Sequence, residues 1–112
     1  MEKDPKIPKT YHLFMEHFPK LGQAWELMRE AEDDGPFDDK TMRLLKLAIA
    51  VGGMKEGAVH SSVRKALAAG VSREEVEHVV ALAASTLGMP PTVSVYSWVR
   101  EQLEGGRRKG ER

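Results

Sequence analysis

No cysteine occurs in the chain. That absence excludes disulfides, thiolate metal ligands and any dithiol redox cycle before a single element is placed. Aromatic residues are scarce, at 6%. No apolar run approaches the ~20 residues that a membrane-spanning helix needs. Excess charge of one sign is missing too. Lys and Arg number 17, as do Asp and Glu, so nothing steers the chain toward nucleic acid or an acidic membrane. The opening Met1-Glu-Lys-Asp-Pro5 has no apolar signal core, and a cytoplasmic location is expected. His12, His17, His60 and His78 fall at no recognised metal spacing, so neither a structural zinc nor any cofactor is expected.

What remains is a chain of 112 residues, the length of one domain, with its apolar residues at helical spacing and strand signals nearly absent. An all-α fold of about six helices follows. The first spans Pro8 to His17 and stops at Phe18-Pro19. The second runs from Lys20 to Glu32, with Leu21, Trp25 and Met28 on one face, and ends at Gly35-Pro36. Asp38 can cap a third helix reaching Val51. That helix is apolar on almost every side and is expected to be central and buried all round. Gly52-Gly53 ends it. A fourth helix runs from Lys55 to Ala69, with Val59, Val63, Ala66 and Leu67 on its stripe and Gly70 at the left-handed position after it. The third and fourth helices form an antiparallel hairpin in this reading.

Ser72-Arg-Glu-Glu75 is a capping box for the fifth helix, whose stripe is Val76, Val79, Val80, Ala83, Ala84 and Leu87. Its small residues from Ala81 to Ser85 predict a tight helix contact, either inside the protomer or across a subunit boundary, rather than a wide pocket wall. Pro90-Pro91 opens the sixth helix, with a stripe at Tyr96, Val99 and Leu103. Trp25, Tyr96 and Trp98 are expected in the core. The tail from Gly105 to Arg112 is basic and carries no apolar residue.

Four stretches carry a resemblance. They are Phe37 to Val51, Val63-Arg-Lys-Ala-Leu-Ala-Ala-Gly70, Val71-Ser-Arg-Glu-Glu-Val76 and Leu87-Gly-Met-Pro-Pro91. In their order, in the glycine after the fourth helix and in the Ser-x-x-Glu start of the fifth, they resemble the carboxymuconolactone decarboxylase/alkyl hydroperoxidase D family. The match is strongest over residues 37–103, within a single domain taken as 1–112. The resemblance implies a helical bundle of that family's type, built around the hairpin, and self-assembly into trimers or hexamers with the site near subunit contacts. It also implies one of two chemistries. The hydroperoxidase branch uses Cys-x-x-Cys-x-x-x-His with a glutamate on the preceding helix. The decarboxylase branch lacks the dithiol and acts on a lactone carboxylate.

Aligned on Gly70, the two family cysteines fall on Lys55 and Ala58, the histidine on Ser62 and the glutamate on Arg43. The family label would be peroxidase activity, and no side chain here replaces the thiols. His60 lies two residues before the family histidine position, which on a helix is a turn of about 200°.

Two sets of candidate residues follow. Lys55, Glu56 and His60 are the candidate catalytic group, since Glu56 and His60 are i, i+4 neighbours and a carboxylate can orient an imidazole. The alternative is an ordinary solvated pair at a helix start. Arg43, Lys55 and Ser62 are the candidate substrate-binding group, and with Arg43 and Lys55 facing a pocket the ligand would be a small anion. The alternative is pairing of these cations with Asp38, Asp39 or Glu56. The functional expectation is therefore an oligomeric small-molecule-binding or non-catalytic protein. The competing expectation is a cysteine-independent enzyme, of decarboxylase or isomerase type, acting on a small carboxylate.

Overall fold

A computed structural model describes residues 9–105. Within them lie six α-helices: α1 (Lys9–His17), α2 (Pro19–Asp33), α3 (Asp39–Gly52), α4 (Glu56–Ala68), α5 (Arg73–Leu87) and α6 (Met89–Leu103). No strand occurs among the described residues. The expected basic tail lies, Gly105 apart, outside them. None of the described helices is long and apolar enough to cross a membrane. The chain divides into two compact units, Met1–Pro36 and Phe37–Arg112.

The first unit holds α1 and α2. Phe18, between them, has an extended backbone, and Pro19 opens α2, where its missing N–H costs nothing. Tyr11 meets Trp25 edge-on with ring centroids 6.4 Å apart. Partial burial raises the Tyr11 phenol above its ordinary pKa, opposed by the Arg29 charge. Neither helix has a buried residue. Trp25, expected in the core, is instead 40% exposed.

The second unit is a four-helix bundle in which α3 packs on α4 and α5, and α6 packs on α4 and α5. Its core is made largely of valine: Val51, Val59, Val63, Val76, Val95 and Val99 are buried, together with Leu47 and Ala66. Each fully buried side chain of this kind contributes roughly 1.5–3 kcal/mol. Local chemistry sets the helix ends. Asp38 accepts the Thr41 amide at 2.8 Å. Ser72 Oγ accepts the Glu75 amide at 3.0 Å, and the Glu75 carboxylate accepts the Ser72 amide at 2.8 Å, completing the capping box. After α4, Gly70 takes φ +94. Its amide reaches Leu67 O, and the Val71 amide reaches Ala66 O, which is a Schellman ending.

The same motif closes α3 with a different residue. The Met54 amide reaches Val51 O and the Lys55 amide reaches Ala50 O. The left-handed position is thus Met54, at φ 55. Gly53 has φ −82 and serves a different need, because a β-carbon there would lie 3.3 Å from Ile49 O.

Three expectations change. Helix α3 is not buried all round: Leu47, Ala50 and Val51 face the core, while Leu45 is 43% and Ile49 69% exposed. Apolar periodicity reports composition on each side of a helix, not which sides have a neighbour. On α6 the buried stripe is Thr92, Val95 and Val99, with Tyr96 39% exposed and Leu103 only partly covered. Thr92 can stand there because its hydroxyl donates to Gly88 O at 2.8 Å. Within the chain the small-residue stretch of α5 is only partly covered: Ala81 and Leu82 are exposed, while Ala83 packs against the core. Trp98 does pack against the core.

Candidate functional site

The α3–α4 turn sets the first candidate cluster. Met54 in the left-handed region turns the chain so that Lys55 becomes the extended N-cap of α4. Lys55 contributes no capping side chain, so the exposed first-turn amides are complemented by the negative charge of Glu56. One turn on, His60 Nε2 stands 4.0 Å from a Glu56 oxygen. The expected Glu56–His60 neighbourhood is therefore present.

A third member comes from α6. Glu101 Oε1 lies 3.1 Å from His60 Nε2. The approach is close but not aligned, since Nε2 is buried and accepts or donates no hydrogen bond. The three side chains place one donor atom each within 4.8 Å of one another. Both carboxylates are more than half exposed, while the imidazole is 24% exposed. Sequence spacing cannot reveal Glu101 here, because its approach depends on α6 packing against α4.

The other candidates do not join this cluster in any recorded contact. Arg43, half-buried on α3, has Nε 3.9 Å from Asp39 Oδ1 on its own helix. That is the pairing named above as the alternative to a cationic pocket. Lys55 is exposed, and Ser62 is half-buried on α4. Ala58, at the second cysteine position, is exposed.

The second feature is a groove between α3 and α5, of about 600 Å³. Leu44, Leu45 and Ala48 form one wall, and Val79, Leu82 and Ala83 the other. Of the small-residue stretch of α5 not expected to wall a pocket, Leu82 and Ala83 line this one. Polar groups enter only from Glu75, His78 and Thr86. Glu75 is already engaged: it caps α5 and lies 3.4 Å from Lys40 Nζ. The Ser72 amide, chiefly, holds its carboxyl below the usual carboxylate range. Neither Arg43 nor Lys55 lines this groove, so its character is apolar rather than cationic.

Comparison with known proteins gives a family and a fold. Residues 19–101 match the model of the carboxymuconolactone decarboxylase family. No curated protein matches the sequence. Among solved structures, the chain is similar to an apo carboxymuconolactone decarboxylase family protein from Legionella pneumophila. The identity is 21%, the match covers 88% of each chain and the TM-score is 0.76. At that identity the likeness speaks for the fold.

Proposed function

The chain belongs to the carboxymuconolactone decarboxylase family, and from that premise we propose that it is a cysteine-independent member, assembled as a trimer or hexamer, that holds a small, mainly apolar molecule. The hydroperoxidase cycle needs a thiolate to attack and a second thiol to resolve, and this sequence offers neither. The observation that carries the reading is the α3–α5 groove. Its volume lies in the range of small-molecule sites, its walls are aliphatic and its few polar groups all come from α5, Glu75 and His78 near the start of the helix and Thr86 near its end. The ligand is a compact, mainly apolar body, in place of the small anion first expected from Arg43 and Lys55.

Self-assembly is supported by what surrounds the groove. Ile49 at 69% and Leu82 at 64% exposure stand on its two helices. A second copy laid over them would cover apolar surface and roof the groove together. Light scattering on the purified chain tests assembly; a strict monomer at high concentration would sink it. An amphiphilic fluorescent probe with an apolar ring system and one sulfonate, anilinonaphthalene sulfonate, tests the groove. Binding should vanish when Ala83→Trp fills the space, and undiminished binding in that variant removes the groove from consideration.

A second reading keeps His60 as an acid–base group on a small carboxylate, with Glu56 orienting it. The observation favouring it is the pair of carboxylates flanking the imidazole. Turnover of a small carboxylate that survives His60→Ala would rule it out.

A further inference from the structure

The orphaned His60 nitrogen is the most unusual polar atom among the described residues. It is buried, it makes no hydrogen bond, and two carboxylates from different helices stand beside it. A buried nitrogen normally finds a partner. We propose that Glu56, His60 and Glu101 form a site for one divalent transition-metal ion at the seam of α4 and α6.

The donor set fits that ion class. A neutral imidazole supplies one nitrogen, and two carboxylates supply two negative charges. Nitrogen with oxygen donors suits zinc and its first-row neighbours, whereas calcium and magnesium favour oxygen alone. The spacing fits as well. Ligand bonds of about 2.0–2.2 Å put adjacent donors of one ion roughly 3–3.5 Å apart. The His60–Glu101 separation of 3.1 Å is already of that size, and Glu56 at 4.0 Å needs only a small rotation. Both glutamates are exposed enough to make it. Three protein ligands at a partly exposed seam leave at least one position for water, the arrangement of a reactive rather than a sealed zinc site. The site differs from the α3–α5 groove in every residue, and it stands whether or not the groove binds a ligand.

The inference has a sequence corollary. Glu56 and His60, spaced i, i+4 on one helix, are a half-site, and α6 supplies the missing ligand. Such a site would depart from the expectation of no metal drawn from histidine spacing alone.

The test is titration of the full chain, stripped with a chelator, with zinc chloride in a calorimeter. Magnesium chloride is the control. We expect one zinc per chain and no magnesium heat. Glu101→Gln and Glu56→Gln should each weaken zinc binding on the order of tenfold or more, and His12→Ala should leave it unchanged. Nitrogen NMR should show the His60 Nε2 resonance moving on zinc addition. The idea is overturned if zinc does not bind at millimolar concentration. It is equally overturned if the Glu56→Gln/Glu101→Gln double variant binds as wild type, or if another histidine moves in place of His60. Both glutamates are exposed, so these variants should fold, and circular dichroism checks that they do.

Discussion

His60 Nε2 on α4 and Glu101 Oε1 on α6 stand 3.1 Å apart, although two helix connections separate them in the chain. The contact is short but poorly aligned, and Glu101 is 61% exposed. In metal-free protein such a pair has little worth, because water screens the carboxylate. A double-mutant cycle of His60→Ala and Glu101→Gln, read by urea unfolding with a chelator present, should give a coupling below about 1 kcal/mol. Repeated with zinc, the coupling should rise. A large coupling without metal would mean that the pair is a stabilising ion pair in its own right.

Two residues of α3 separate packing from surface. Leu47 is fully buried and Ile49 is 69% exposed. Leu47→Ala should cost roughly 2–5 kcal/mol, since it removes buried methyl groups and leaves a cavity. Ile49→Ala should change the stability of a dilute monomer by less than about 0.5 kcal/mol. If α3 lies at a subunit contact, the second change will instead show as a concentration-dependent melting temperature. Comparable losses for both variants in dilute solution would contradict the burial described.

The distinction between those two residues was not legible in the sequence. Both are apolar on an apolar helix, and periodicity cannot say which side has a neighbour. The helix ends were legible, because caps are local. Asp38, Ser72 with Glu75, and Gly70 each act on atoms within a few residues. The candidate cluster was half legible. Glu56 and His60 share a helix and so are tied by spacing, whereas Glu101 joins them only through the packing of α6. On α6 only Tyr96 departs from the expected stripe, since Val99 is buried and Leu103 packs against the core; Val95 and Tyr96 are both apolar neighbours, and tertiary contact decides which turns inward.

Leu82 tests the assembly directly. At 64% exposure on the groove rim, it can accept Leu82→Arg without strain inside the protomer. The expected outcome is a smaller particle by light scattering with an unchanged helical spectrum. An unchanged particle size would place the subunit contacts elsewhere.

The capping groups predict acid behaviour. Hydrogen bonds from Thr41 hold the Asp38 carboxyl below its ordinary pKa, and the Ser72 amide does the same for Glu75. A carboxylate whose folded pKa lies below its unfolded value stabilises the fold above the unfolded value. That contribution is lost as pH falls through the folded value. Stability should therefore be flat near neutrality and decline below about pH 4. Glu75→Gln should make that acid decline shallower. At neutral pH, Ser72→Ala should cost about 1 kcal/mol by removing one half of the box. A decline of the same slope in Glu75→Gln would assign acid lability to other carboxylates.

Met54 provides the last prediction, at the α3–α4 turn that precedes the candidate cluster. It occupies the left-handed position of a Schellman ending, with φ 55. A side chain there costs on the order of 1 kcal/mol that glycine avoids. Glycine returns part of the gain through greater freedom in the unfolded chain. Met54→Gly should therefore raise stability by a few tenths of a kcal/mol to about 1 kcal/mol, read as a higher urea midpoint. Met54 is 37% exposed, so some packing is lost as well. A net loss would show that this packing outweighs the strain. The turn also holds Lys55 in its extended N-cap conformation and so starts the helix that carries Glu56 and His60. Because the helix start is unchanged by glycine, zinc affinity should be the same in Met54→Gly as in wild type, which separates strain at this turn from the geometry of the cluster.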